Sequence, residues 1–105
     1  MKKIINDPHD VVPEMVNGMT RSYPQYIEKI EGTEAVVRAD KASMKDRVGI
    51  ISGGGSGHEP THAGFVGEGM LSAAVCGQVF TSPTPDQIYA AIKAVNQGKG
   101  VFMVV

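Results

Sequence analysis

Val48-Gly-Ile-Ile-Ser-Gly-Gly-Gly-Ser-Gly-His-Glu-Pro60 is an apolar run that ends in four glycines around a serine, followed by a histidine, a glutamate and a proline. Its start suits a short buried strand over 47–52, because β-branched side chains pack well on a pleated surface. Gly53, Gly54, Gly55 and Gly57 carry no Cβ. The backbone there can take positive φ and approach a ligand closely, at an entropic cost that a plain connector would not need. Pro60 suits the first turn of a helix and pushes Glu59 out of the α region. The stretch predicts strand, glycine loop, helix, with His58 held at the end of the loop beside the free N–H groups of a helix N-terminus.

On the N-terminal side, Asp10 to Met19 reads as a helix with Asp10 as N-cap, Pro13 in the first turn, and Val12, Met15, Val16 and Met19 on one face. Arg21 to Thr33 is polar and irregular, punctuated by Pro24 and Gly32. Glu34 to Ala39 reads as a short strand, and 40–47 as a polar connection. On the C-terminal side, 60–70 suggests a short helix weakened by Gly64, Gly67 and Gly69. Ser72 to Cys76 is a strand of small residues. Thr84 is the expected N-cap of another helix, with Pro85 at N1, Asp86 at its positive end and Gln87 completing a capping box. Ile88, Ala91, Ile92 and Val95 share one face of it, and Gly98 terminates it.

Val101 to Val105 is a continuous apolar strand of the kind found in parallel sheets covered on both faces. Strands near 34–38, 48–52, 72–76 and 101–105 thus alternate with helical segments. The pattern predicts an α/β fold: a layered sheet with several parallel strands and helices on both faces. The chain ends inside its last strand, and strand carboxyl ends are where such folds build their sites. The expectation is a portion of a larger domain whose next functional loop lies beyond Val105. An uncovered apolar strand there is expected to associate with, or be shielded by, another chain.

The 105 residues carry a formal net charge of -1, which gives no electrostatic case for nucleic acid or an anionic membrane. The single cysteine, Cys76, forms no internal disulfide and belongs to no zinc-binding cluster of cysteines. No apolar run reaches membrane-spanning length, and residues 1–6 are too short and soon too polar for a signal peptide. A cytoplasmic location is the expectation.

His58 occupies the deciding position in each familiar glycine-rich signature. A P-loop needs a lysine after its last glycine, a dinucleotide fingerprint needs a sixth-position glycine, and a nucleophile elbow needs a glycine two residues after the serine. In all three cases the residue found is His58. Ser56 is therefore read as a hydrogen-bonding loop residue and not a nucleophile. His58-Glu-Pro-Thr-His62 has the letters of the HExxH zinc motif, but that motif needs both histidines on one continuous helix, and Pro60 forbids it. His58 itself either braces the loop or serves as a titratable group suited to proton transfer at the rim of a site, and its position directly after Gly57 favours the second. Glu59 either caps the following helix or orients an imidazole. His62 reads as packing, His9 as solvated and Cys76 as a small core residue. Thr81-Ser-Pro-Thr84 serves either as a helix start or as part of the same rim.

Three separated segments carry a family resemblance: Gly53-Gly-Gly-Ser-Gly-His-Glu-Pro60, Gly64-Phe-Val-Gly-Glu-Gly-Met-Leu71 and Phe80-Thr-Ser-Pro-Thr-Pro85, with Met1-Lys-Lys-Ile-Ile-Asn-Asp7 also similar. Together they resemble the substrate-binding subunit of bacterial dihydroxyacetone kinase, over essentially the whole chain. The resemblance implies that residues 1–105 are the N-terminal portion of that subunit's substrate-binding domain, which continues further in the family. It implies a glycerol-metabolism kinase that holds dihydroxyacetone as a hemiaminal on a histidine far downstream. Gly53, Gly54, Gly55, Ser56, Gly57 and His58 would then line the substrate pocket, with His58 as the proposed general base for phosphoryl transfer.

No cofactor or metal is expected on this chain. The nucleotide and Mg2+ are expected on a partner kinase subunit, recharged from phosphoenolpyruvate through a phosphotransferase-system protein; a second type of the family uses ATP through a fused domain. The short start at Met1 is more similar to the stand-alone type. A homodimer is implied as well. A Lys-Asn-Tyr-Thr-Gly-Asp stretch, whose lysine and aspartate contact substrate in the family, would follow Val105, so these residues alone are expected to be inactive and to bind dihydroxyacetone weakly or not at all. Two alternatives remain: a dihydroxyacetone-binding paralogue that activates a transcription regulator without catalysis, and an α/β phosphate- or sugar-binding module.

Overall fold

The computed structural model describes residues 2–104. A single 3-10 turn, Pro8–Asp10, leads into helix α1, Val11–Ser22. Asp10 is the N-cap residue, as read, but its side chain does not do the capping. Asp10 makes no side-chain capping bond, and the Asp7 carboxylate one turn earlier accepts the His9 N–H at 2.8 Å instead. The proline ahead of Asp10 extends the turn backwards, so the capping role moves with it. The predicted apolar stripe holds: Val12 and Val16 are fully buried, with Met15 and Met19 packed beside them. Each buried valine contributes about 1.5–3 kcal/mol of transfer free energy.

The segment 21–33, read as irregular, contains a strand. β1, Ile27–Lys29, pairs antiparallel with β2, Ala35–Arg38. Three residues are too few to show alternation, and only Ile27 of β1 is buried. β3, Gly49–Ser56, β4, Ala73–Val79, helix α2, Pro85–Val95, and β5, Val101–Val104, complete the fold. Val105, the last residue of the predicted strand, lies outside the described residues.

The sheet order is β1-β2-β4-β3-β5. β3 is parallel to both β4 and β5, with Ile51 opposite Ala73 and Gly49 opposite Val101. β2 runs antiparallel to both β1 and β4, so the α/β sheet is mixed: two strand pairings are parallel and two antiparallel, and β2 alone runs against the other four. Helices cover both faces. Val36, Ala74 and Cys76 pack under α1, while Ala35, Val37, Ile51, Ala73 and Val75 pack under Ala91 and Val95 of α2. β2 is consequently the strand buried along its entire length.

Two expectations fail here. No helix occupies 60–70; the chain makes turns there with one short 3-10 turn, Ala63–Phe65. Three glycines within six residues remove helix propensity where no apolar stripe restores it. Nor is β5 covered on both faces. It pairs only with β3 among the described residues, Val101 alone reaches the α2 side core, and Phe102 is 62% exposed. Among the described residues no helix is long and apolar enough to cross a membrane.

Candidate functional site at the carboxyl ends of the parallel strands

Parallel pairing brings the carboxyl ends of β3, β4 and β5 to one side of the sheet, which is where open α/β folds bind ligands. The glycine run read as a loop is largely strand: Gly53 to Ser56 belong to β3 and pair with β4. Of the four glycines, only Gly57 takes positive φ, at +120°. The missing Cβ atoms serve a different purpose, close approach of the turn that follows β4. A Cβ at Gly55 would lie 2.6 Å from Thr81 N and 2.7 Å from Phe80 C, and one at Gly77 would run into the Thr81 carbonyl oxygen.

The 80–83 turn therefore lies directly on β3 and β4, and one extra residue of β4 is accommodated between the pairs Gly54–Cys76 and Ser56–Val79. Ser56 is 4% exposed and its hydroxyl donates to the Gly77 carbonyl at 2.8 Å. The Phe80 N–H donates to the Ser56 carbonyl, also at 2.8 Å. Ser56 ties the two strand ends together, which suits a residue with no base beside it.

A cavity of about 240 Å³ opens beside this turn, with Ser52, Gly53, Gly54, Ser82 and Pro83 in its wall and the apolar side chains of Ile51, Val75, Ile88 and Met103 making up most of the rest; neither His58 nor His62 lines it. Its polar edge is the backbone of β3. β5 pairs with β3 from Gly49–Val101 to Ser52–Val104, so the carboxyl end of β5 comes up beside the glycine run. Thr81 to Thr84, weighed as helix start or rim, does both: Ser82 and Pro83 line the cavity, and Thr84 is the residue before α2. The capping box takes another form. Thr84 makes no side-chain cap bond, the Gln87 amide reaches its hydroxyl at 3.3 Å, and the Gln87 carbonyl oxygen accepts the Glu34 N–H at 2.9 Å. Gln87 is recruited across the molecule to hold the start of β2. The Thr84 hydroxyl and nearby backbone N–H groups hold the Asp86 carboxyl below the usual range.

His58 stands exposed just past β3, and its imidazole has no hydrogen-bond partner among the described residues. Glu59 neither caps a helix nor orients an imidazole: its carboxylate turns back to accept the Gly57 N–H at 3.1 Å. No helix carries both His58 and His62, because the chain turns between them. His62 is more than packing. Its Nδ1 lies 3.0 Å from the Ser52 hydroxyl, and its ring meets that of His58 edge-on with centroids 5.6 Å apart. Sequence reasoning misses both Ser52 and His62 as members of the rim; the ten-residue separation between them carries no local signal. His9 is exposed beside Asp7, as read. Cys76 is buried opposite Gly54, and burial pushes its thiol up to about 11.

A second polar cluster lies at the other end of the sheet. The guanidinium of Arg38, 5% exposed, donates to both carboxylate oxygens of Asp40, from Nε at 2.8 Å and from Nη2 at 2.6 Å. Nη2 also donates to Ser43. These contacts raise Arg38 above its usual range and hold the Asp40 carboxyl well below the usual carboxylate range. Every strong group there is paired, so the cluster reads as structural.

The carboxyl ends of the parallel strands thus carry an exposed histidine and, beside the 80–83 turn, a small cavity, features that suit a small ligand. The chain is 59% identical over 105 residues to the PTS-dependent dihydroxyacetone kinase 1, dihydroxyacetone-binding subunit DhaK, of Listeria innocua serovar 6a, covering 100% of this chain and 31% of that protein. It superimposes on the crystal structure of the dihydroxyacetone kinase from C. freundii in complex with AMP-PNP and Mg2+ with a TM-score of 0.88 and 40% identity, over 99% of this chain and 20% of that one. It also superimposes on the dihydroxyacetone kinase operon co-activator Dha-DhaQ, with a TM-score of 0.78 and 45% identity over 88% of this chain and 27% of that one. The chain therefore spans about a third of the length of such curated relatives. Residues 17–105 match the Dak1 domain, and with that match the chain belongs to the Dak1 domain family.

Proposed function

We propose that this chain is the N-terminal portion of the substrate-binding domain of a dihydroxyacetone kinase, and that its rim binds dihydroxyacetone for phosphorylation to dihydroxyacetone phosphate. The observation that carries the reading is the exposed His58 imidazole standing just past the glycine run of β3, at the carboxyl ends of the parallel strands, with the 80–83 turn packed against that run. Gly53 and Gly54 approach the ligand through backbone, with Gly55, Ser56 and Gly57 building the turn that presents His58. In the transfer step a ligand hydroxyl oxygen bonds to the donor phosphorus while the bond from phosphorus to the leaving oxygen breaks. The hydroxyl proton passes to an imidazole nitrogen of His58. An exposed imidazole with a free ring nitrogen is suited to accept that proton.

We assign the donor nucleotide and its Mg2+ to a partner subunit, recharged through a phosphotransferase-system protein; the names of the similar proteins speak of a PTS-dependent kinase with a dihydroxyacetone-binding subunit. A cytoplasmic homodimer acting in glycerol metabolism completes the reading. Residues 1–105 in isolation should not turn over, because the remainder of the substrate pocket is assigned to a segment beyond them. The test is phosphoryl transfer by the full-length protein with the nucleotide-carrying subunit. His58→Ala should lower the rate by about 10²–10⁴-fold, and an undiminished rate would remove the histidine from the chemistry. The likeness to the operon co-activator favours one second reading, a non-catalytic dihydroxyacetone sensor. Binding of dihydroxyacetone without any transfer in the same assay would select it.

A further inference from the structure

Ser52 is 6% exposed and its hydroxyl has two partners, the Val104 carbonyl oxygen at 3.0 Å and His62 Nδ1 at 3.0 Å. A hydroxyl has one proton to donate. The carbonyl can only accept, so the Ser52 proton goes to Val104, and the Ser52 oxygen must accept from His62. The neutral imidazole is then the Nδ1–H tautomer, with Nε2 left as an acceptor. That nitrogen lies over the glycine strand, 3.4 Å from where a Cβ on Gly54 would stand. His62 does not line the cavity beside the 80–83 turn; with Ser52, Phe65, Met70 and Leu71 it lines a separate, more open hollow of about 340 Å³. The same ring meets His58 edge-on.

We propose that His62 is a second ligand-binding histidine of this rim, accepting a hydrogen bond at Nε2 from a hydroxyl of the bound ketose, and that Ser52 is the positioning residue that fixes its tautomer. The ligand class rests on the dihydroxyacetone reading above; the tautomer rests on geometry alone. His58 and His62 then have distinct roles. His58 is free to take a proton, while His62, anchored through Ser52 to β5, holds the ligand in register.

The test uses the full-length protein labelled with 15N-histidine, read by NMR with and without dihydroxyacetone, together with His62→Asn and His62→Gln. The His62 ring should show the Nδ1–H tautomer, and Ser52→Ala should release that preference. Dihydroxyacetone should shift His62 Nε2 as well as His58. His62→Asn keeps a donor for Ser52 but has no atom at the Nε2 position. It should leave thermal stability near wild type and weaken dihydroxyacetone binding by about 2- to 10-fold, the worth of one neutral hydrogen bond. His62→Gln, whose carbonyl oxygen reaches the Nε2 position, should restore most of that loss. An Nε2–H tautomer or a protonated ring at neutral pH overturns the proposal whatever the ligand does. A ligand shift at His58 with none at His62 overturns it and leaves the dihydroxyacetone reading standing. No shift at either histidine removes that reading, and the proposal falls with it.

Discussion

An alanine at position 77 would set its Cβ against the Thr81 carbonyl oxygen, 2.7 Å from Pro83 N and 2.8 Å from Ser82 C. All three neighbours are backbone, so no side chain can swing away, and the 81–83 turn has to lift off β4. Overpacking costs about 1–3 kcal/mol where side chains can adjust; with backbone on the other side we expect the upper end, about 3 kcal/mol. For a domain of this size that corresponds to a fall in Tm of about 10–20 °C. Gly18 supplies the control. It lies inside α1 with nothing within 4 Å of where a Cβ would stand, so the same chemical change should stabilise by about 0.5–1 kcal/mol through helix propensity. Urea unfolding followed by far-UV circular dichroism measures both variants on one scale. A Gly77→Ala protein as stable as wild type would refute the claim that the glycines of this rim are there for close approach.

Three further changes probe other parts of the molecule. Ser56→Ala leaves the buried Gly77 carbonyl without its donor, and should cost about 1–2 kcal/mol in the same unfolding assay. Asp40→Asn removes an ion pair whose carboxyl titrates below its unfolded value. The stabilisation it contributes is present above about pH 4 and is lost as pH falls through the folded value. With Asp40 half exposed, the variant should lose about 1 kcal/mol at neutral pH, and its stability should converge on wild type in acid; curves that stay parallel down to about pH 2 would contradict this. Cys76, with its thiol pushed up to about 11, should resist alkylation at about pH 8 in the folded protein and react in denaturant, as thiol labelling followed by mass spectrometry would report.

The readability of the sequence follows the range of the interactions concerned. α1 and α2 are legible because valines and isoleucines at helical spacing fix a face without reference to distant residues. β2, β4 and β5 are legible as apolar runs. β1 is not, since Ile27-Glu-Lys is stabilised by its antiparallel register against Arg38, Val37 and Val36 rather than by its own pattern. The glycines of 53–55 read as a loop because glycine in a strand and glycine in a turn are locally alike; the distant neighbours that settle the matter are Val75 of β4 against Gly53, His62 against Gly54 and the 80–83 turn against Gly55. His58 stands out from the sequence, and it is exposed at the end of that run. His62 reads as packing in a helix that does not form, and its partner Ser52 as ordinary strand. Gln87 reads as a partner of its neighbour Thr84, while its carbonyl oxygen serves Glu34 on another strand.

The strand order also sets a sequence of events in time. β1 and β2 meet across a short turn, whereas the bond from Ile50 to Ser72 links β3 to the start of β4 across 22 residues, and the bond from Ser52 to Val104 spans 52. Closing a longer loop costs more entropy before any contact offsets it, and distant parallel pairing is slow. The sheet should therefore assemble from its antiparallel side inward, with β5 docking last. Ser52 and His62 take their final places only on that last step, because the Val104 carbonyl anchors them. The corner proposed to hold the ligand is thus the youngest in each folding event, and the first whose amides should exchange with solvent when the native state breathes.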